Sequence, residues 1–310
     1  MKILFISIFI SLSLYALTFE DAVKSLEKKE YSKAQQQLMQ LALEDNANAQ
    51  YNLGLMNYEG LGIPKDIELA FFWYKQAANN GNIQAMNNLG HMYHLGQGVK
   101  KDLHKAKELY KSSAKQGYAL AQLNLAMLYE KSTKETNLQE AFKWFEKAAN
   151  QGVIMAMNNL ASMYYYGKGI EKSKEKAVFW YKQALKANNP LAQYNLGMMY
   201  LRADSVPKDV EKAVELLSSS ANQGNTNSQI KLADIYRKGN NIVPDEKKAY
   251  KYYLMAAKEG KNKAMYYVGS YLYKGKGVKQ DIDEAKYWLK RAKINGHERS
   301  ANFLKLNSLE

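Results

Sequence analysis

The sequence predicts an all-α fold made of stacked helical hairpins. A nine-residue segment, best represented by AQYNLGLMN, recurs seven times in the 310-residue chain, in five close copies and two weaker ones. The copies follow each other at intervals of 35 or 36 residues, and only four prolines interrupt the chain. A fixed period of this length is typical of repeat proteins whose neighbouring units share one core. The segments begin at Ala49, Ala85, Ala121, Ala156, Ala192, Ser228 and Ala264.

Residues 1–16 predict an export signal. Lys2 precedes an apolar run that extends to Leu14, and Ala16 is a small residue suited to the position before a cleavage site. The run is too short to span a bilayer comfortably, although the bulky Leu14 leaves an uncleaved membrane anchor as the alternative. We therefore expect a mature protein that starts near Leu17 and is periplasmic or secreted.

Each repeat contains two segments with the period of a half-buried helix. Apolar or small residues recur at i, i+3 or i+4 and i+7 or i+8 in both segments, which predicts one buried face on each helix. The second segment opens with Ala and carries aromatic residues at fixed offsets, as in AFFWYKQAA from Ala70. All four tryptophans fall at one position of this segment, so we expect them in the core: Trp73, Trp144, Trp180 and Trp288.

A Gly-Xaa-Gly turn separates the two helical segments in four repeats. A dinucleotide-binding loop of this spacing follows a β-strand, whereas these turns follow a helical segment. The spacing therefore does not predict a nucleotide site. We expect the glycines to provide the positive φ that ends the first helix of each hairpin. The turns begin at Gly60, Gly96, Gly167 and Gly275.

This arrangement resembles the Sel1-like repeat, a relative of the tetratricopeptide repeat. The resemblance rests on A-x-x-x-L-G-x-x-Y, a Gly-rich turn and A-x-x-W-Y-x-x-A-A, and it implies a right-handed superhelical α-solenoid. The predicted order is a signal segment (1–16), a degenerate capping hairpin (17–48), seven repeats and a closing half-repeat (300–310). The repeats are predicted at 49–84, 85–120, 121–155, 156–191, 192–227, 228–263 and 264–299.

Composition limits the classes of partner. The chain has a formal net charge of +14, but only four of its 44 Lys and Arg residues are Arg. Proteins that read nucleic acids depend on the planar guanidinium group, so we do not expect a nucleic-acid partner. The lysine excess favours solubility or weak attraction to an anionic component of the cell envelope. Cysteine is absent, which excludes disulfides and thiolate metal sites.

The first helices are predicted to line a concave groove, as they do in tetratricopeptide-like solenoids. Positions opposite the core Leu of each first helix are rich in Tyr, Met and Leu, which are frequent at binding hot spots. We interpret them as a groove for a peptide, a protein or an envelope component such as peptidoglycan. Coverage of these positions by neighbouring repeats is the alternative. The candidate binding residues are Tyr51, Leu55, Tyr58, His91, His94, Met127, Tyr165, Tyr194 and Met198.

An asparagine recurs at the fourth position of the first helix in five repeats. We expect its side chain to form hydrogen bonds between adjacent hairpins, with a contact to a bound ligand as the alternative. The five residues are Asn52, Asn88, Asn124, Asn159 and Asn195.

Catalytic and metal-binding functions have weaker support. His91 and His94 lie one helical turn apart, but zinc normally takes three or four ligands, so neither a metal nor another cofactor is expected. Some exported, cysteine-rich Sel1-type proteins are described as penicillin-binding or β-lactamase-like, which makes an enzyme acting on β-lactams or peptidoglycan the alternative function. This chain lacks those cysteines and the companion Ser-Asp-Asn and Lys-Thr-Gly motifs. Its Ser-Xaa-Xaa-Lys matches begin at Ser25, Ser112, Ser173, Ser205 and Ser228.

Overall fold

The computed structural model of the chain describes residues 17–131, 134–239 and 242–309. These residues form seventeen α-helices and no β-strand, which confirms the all-α prediction. The predicted export signal at 1–16 lies outside the described residues. Within the described ranges, no helix combines the length and the apolar character needed to cross a membrane.

The chain divides into two compact units, residues 1–128 and 129–310. In each unit, consecutive helices pair into hairpins, and the second helix of one hairpin packs against the first helix of the next. The helices that begin in the first unit are α1 (Phe19–Glu27), α2 (Tyr31–Leu43), α3 (Ala47–Glu59), α4 (Ile67–Asn79), α5 (Ile83–Leu95), α6 (Leu103–Lys115) and α7 (Ala119–Glu130). The helices of the second unit are α8 (Glu135–Asn150), α9 (Ile154–Tyr166), α10 (Lys174–Lys186), α11 (Pro190–Arg202), α12 (Val210–Asn222), α13 (Thr226–Lys238), α14 (Glu246–Lys258), α15 (Asn262–Lys274), α16 (Ile282–Ile294) and α17 (Glu298–Leu306).

Capping residues determine where the hairpins begin and turn. The side chains of Asn46 and Asp66 precede α3 and α4, and each accepts a backbone N–H bond of 2.9 Å from the first turn of its helix. Helix α3 ends at Gly60, whose φ of 74° lies in the left-handed region. Helices α5, α9 and α15 also end at a left-handed glycine. The predicted role of the glycine turns is therefore confirmed.

Small residues allow the two helices of a hairpin to approach closely. A Cβ atom at Gly54 of α3 would lie only 2.5 Å from a ring carbon of Tyr74 on α4. Tyr74 is fully buried, and so are the aromatic residues at the equivalent position of three other second helices, Tyr110, Phe145 and Tyr253. In these four hairpins one large ring therefore fills the space beside the first helix, whereas Leu217 and Leu289 take this position in α12 and α16.

The tryptophans do not share one level of burial. Trp73, Trp144 and Trp288 are buried, as predicted. Trp180 is only half-buried, and its ring contacts the exposed Phe179 edge-on at a centroid distance of 5.3 Å. Helical periodicity determines the face on which a side chain lies, whereas its final burial depends on how neighbouring helices cover that face.

Candidate functional site: two tyrosine-lined pockets

The recurring asparagine links first helices of adjacent repeats. In the first unit, Asn124 Nδ2 donates to Asn87 Oδ1 at 2.9 Å. In the second unit, Asn195 Nδ2 donates to Asn158 Oδ1 at 3.2 Å. These two bonds confirm the predicted inter-hairpin role of Asn124 and Asn195. Asn52 instead donates to a backbone carbonyl of its own helix at 2.8 Å, so the role is not shared by every copy.

The first unit contains a pocket of about 230 Å³ that is bordered by α3, α4 and α5. The side chain of Asn88 on α5 lies beside the phenols of Tyr51 and Tyr74, whose ring centroids lie 5.9 Å apart. The side chains that line the pocket, named here the α3–α5 pocket, are Leu55, Tyr58, Glu59, Tyr74, Asn88, His91 and Met92.

The α3–α5 pocket contains two phenols, those of Tyr58 and Tyr74. Burial raises the pKa of Tyr74 above the ordinary value of a phenol, and the neighbouring Asn88 side chain opposes this shift. Tyr58 Oη donates to Gln97 Oε1 at 3.0 Å, and Lys65 Nζ lies 5.0 Å from the centroid of the Tyr58 ring. The pocket thus combines aromatic surface with amide and phenol groups, which is suitable for contacts with a peptide.

The second unit contains a smaller pocket, of about 80 Å³, bordered by α9, α10 and α11. Tyr181 is buried, and burial raises its pKa. Tyr166, in contrast, is 64% exposed and contacts Tyr165 edge-on at a centroid distance of 4.8 Å. The side chains that line this pocket, named here the α9–α11 pocket, are Tyr165, Tyr166, Tyr181, Tyr194, Asn195, Met198, Met199 and Arg202.

A charged network fixes Tyr165 at the edge of the α9–α11 pocket. Tyr165 Oη donates to Asp204 Oδ2 at 2.5 Å, and Lys174 Nζ lies 2.5 Å from Asp204 Oδ1. The bonds from Lys174 and Tyr165 lower the pKa of Asp204, and the bond to Asp204 raises the pKa of Tyr165. Tyr165 therefore presents a fixed ring to the pocket while its hydroxyl is already engaged.

The structure brings six of the nine predicted binding residues to these pockets, three in each. Leu55, Tyr58 and His91 line the α3–α5 pocket, and Tyr165, Tyr194 and Met198 line the α9–α11 pocket. The other three line neither: Tyr51 packs beside Tyr74, His94 contacts the ring of Tyr110 edge-on at 6.4 Å, and Met127 is half-buried on α7.

The prediction of a freely accessible stripe is wrong for Met198, which is only 9% exposed. The other eight predicted residues are half-buried. First helices of adjacent repeats lie close enough for Asn195 to bond Asn158, so each helix covers part of its neighbour's stripe. The alternative stated from the sequence, that neighbouring repeats cover part of these positions, therefore agrees with the burial of these nine side chains. A ligand would reach these residues through the pocket openings.

Sequence reasoning missed several pocket residues. Tyr74 and Tyr181 belong to second helices, whose aromatic residues the repeat pattern assigns to the core. Arg202 lies beyond the stripe and was not chosen, although it is one of only four arginines in a lysine-rich chain. That rarity was the one available signal, because guanidinium groups are frequent at binding sites.

The Sel1 repeat family matches seven consecutive segments, which together extend from residue 47 to residue 297. The chain belongs to the Sel1 repeat family. Proteins built from Sel1 repeats are generally non-catalytic scaffolds for protein–protein interaction. Each matched segment starts at the first residue of a first helix, two residues before the repeat frame derived from the sequence pattern. The segments are 47–82, 83–118, 119–153, 154–189, 190–225, 226–261 and 262–297.

Solved structures agree with this assignment. A Sel1 repeat protein from Oxalobacter formigenes is 28% identical, with a TM-score of 0.74, and the match covers 90% of this chain and 81% of that chain. The protein c5321, a protective antigen of uropathogenic Escherichia coli with the same repeat fold, is 28% identical, with a TM-score of 0.64 and coverages of 88% and 68%. A comparison with curated protein sequences found no significant match.

Two of the serines considered above as candidates for catalysis form hydrogen bonds within the fold. Ser173 caps the N-terminus of α10, where its Oγ accepts the Lys176 backbone N–H at 3.3 Å. Ser228 is fully buried and donates to Ser220 Oγ at 2.7 Å. Both hydroxyls therefore have structural roles. In the part of the chain that the structure describes, no group of three or more His, Asp or Glu side chains is placed to hold a metal ion.

Proposed function

We propose that this Sel1 repeat protein is an exported, non-catalytic scaffold that binds a peptide or protein segment through its tyrosine-lined pockets. The observation that carries the proposal is that each unit, taken by itself, places tyrosines and an asparagine amide in a pocket at its first helices. Tyrosine offers a large rigid contact area, and an amide can pair with a peptide backbone.

Export is part of the same proposal. It is supported by Lys2 and the apolar run within residues 1–16, which have no use inside a helical repeat. The intact mass of the exported protein should correspond to a chain that starts near Leu17. A full-length cytosolic product would contradict export, and a full-length membrane-bound product would indicate an anchor.

Photo-cross-linking tests the binding site directly. The exposed Tyr166 is replaced by the photoreactive residue p-benzoylphenylalanine, and the exposed Tyr287 of α16 provides a matched control. Both tyrosines lie next to a second aromatic ring in the same unit, but only Tyr166 lines the α9–α11 pocket. We expect a protein adduct in the envelope fraction with the Tyr166 variant only.

The form of the adduct identifies the class of ligand. A protease-sensitive adduct indicates a peptide or protein, whereas an adduct that is removed only by a muramidase indicates peptidoglycan, the competing envelope ligand. Equal adducts from both positions, or none from either, would mean that the α9–α11 pocket is not a binding site.

A further inference from the structure

A larger groove, of about 690 Å³, runs along α14 in the second unit and shares no residue with the two tyrosine-lined pockets. Its apolar lining comes from Tyr250, Leu254 and Met255 of α14 and from Val278 in the turn after α15. All four side chains are half-buried and pack against the core of the second unit. An apolar group must therefore enter the groove to reach them.

Four exposed lysines border the same groove, Lys247, Lys248, Lys251 and Lys258, and Asp245 is the one carboxylate among its lining residues. Three of them, Lys247, Lys251 and Lys258, recur at intervals of four and seven residues, which places them on one stripe of α14. Lys248 is engaged by Asp245 at 3.4 Å. Lys247 and Lys258 have no ion pair among the described residues.

A glycine turn determines the shape of this groove. Gly277 has a φ of 64°, and a Cβ atom there would lie 2.3 Å from the carbonyl oxygen of Glu246. Only glycine allows the turn to lie directly against the start of α14. This close approach brings Val278 to the apolar lining, so the groove combines side chains from two consecutive repeats.

We propose that the α14 groove is a second binding site, distinct from the site of the proposed function, and that it takes a peptide segment carrying carboxylates beside an apolar side chain. The excess of lysines over carboxylates provides charge complementarity, and ammonium groups suit carboxylates whose positions vary. The apolar side chain covers the half-buried lining and supplies the specific contact. Residues 246–309 contain fifteen Lys and Arg and six Asp and Glu, so the surrounding field also attracts an acidic segment.

The recessed lining favours a peptide over a membrane surface. Attachment to a bilayer requires apolar side chains that project from the protein, whereas Tyr250, Leu254 and Val278 are half-buried within the groove. Anionic vesicles are therefore the control ligand in the test.

The test uses a fluorescent peptide that repeats Asp-Asp-Leu-Phe, with fluorescence anisotropy as the readout. The binding variant reverses three groove charges (Lys247→Glu, Lys251→Glu and Lys258→Glu). The control variant reverses three exposed lysines of the same unit that lie outside the groove (Lys182→Glu, Lys208→Glu and Lys290→Glu). Both variants change the net charge equally. Because all six side chains are exposed, circular dichroism should show that both variants fold.

We expect the groove variant to weaken peptide binding at least about tenfold, and the control variant to weaken it about threefold or less. A peptide with Ser in place of Leu and Phe should also bind at least about tenfold more weakly, because the apolar contact is lost.

Equal weakening by both variants, or unchanged binding of the Ser peptide, would show that only overall charge attracts the probe and would overturn the proposal. Binding to phosphatidylglycerol vesicles that depends on the groove lysines, without binding to the peptide, would assign the groove to a membrane instead. The Tyr166 cross-link does not depend on these lysines, so the outcomes of the two experiments are independent.

Discussion

Tyr110 and Tyr253 occupy the same position of two second helices, yet the same substitution should change stability in opposite directions. Both rings are fully buried. Tyr253 Oη donates to Asp234 Oδ1 at 2.5 Å and accepts from Arg237 Nε at 3.2 Å. Tyr110 Oη has no hydrogen-bond partner in the described part of the chain. Repeat three carries Phe145 at this position, so the fold accepts the smaller ring.

The size of each effect follows from these partners. Tyr253→Phe removes a hydrogen bond to a charged acceptor, which is worth about 1.5–3 kcal/mol, and we expect a loss of about 2 kcal/mol in the free energy of unfolding. Asp234 retains its 2.7 Å bond from Lys263 Nζ, so the carboxylate is not left unpaired. Tyr110→Phe removes an unpaired buried hydroxyl, and we expect a gain of about 1 kcal/mol.

Urea unfolding followed by circular dichroism measures both changes. Because repeat proteins can unfold in parts, amide hydrogen exchange at α13–α16 for the Tyr253 variant and at α5–α6 for the Tyr110 variant reports the local effect. If Tyr110→Phe destabilises the protein as much as Tyr253→Phe, the hydroxyl of Tyr110 is satisfied after all and the reasoning fails.

Three further predictions concern the core, a turn and the charged network. Trp144→Ala should lower the free energy of unfolding by about 3–5 kcal/mol because Trp144 is buried. Trp180→Ala should lower it by less because Trp180 is half-buried. Equal losses of stability in thermal melts would contradict this difference. Ala203 is the C-cap of α11 and has a φ of 55°, a left-handed conformation that glycine adopts at lower cost than alanine. Ala203→Gly should therefore stabilise the protein by about 1 kcal/mol in the same assay. A loss of stability would show that the turn is unstrained. The pKa of Asp204 is lower in the folded protein than in the unfolded chain. The ionised carboxylate therefore adds its full contribution to the free energy of unfolding above the unfolded pKa of about 3.9, and this contribution is lost as the pH falls through the lower folded pKa. The urea midpoints of the wild type and Asp204→Asn should therefore differ at pH 7 and converge on acidification; a constant difference would contradict the assigned pKa shift.

The sequence predicted six of the fifteen residues that line the two pockets, but not their accessibility. Leu55, Tyr58 and His91 were chosen from one helical stripe and do line one pocket. Met198 was chosen by the same rule and is buried, because the covering residues come from other helices. Tyr181 was missed because the pattern that marks a core position cannot show that one edge of the ring reaches a pocket.

The sequence by itself determined the repeat period, the two helices of each hairpin, the residues that end them and the face that each helix buries. These features are local: helical periodicity, capping and left-handed glycines act within a few residues of the chain. Only the tertiary structure decided that the Tyr253 hydroxyl has polar partners whereas that of Tyr110 has none among the described residues, and that Val278 lines the same groove as the lysines of α14. Such contacts join side chains of different helices, at least sixteen residues apart in the chain, and their distances depend on how the helices pack, which the periodicity of a single helix does not specify.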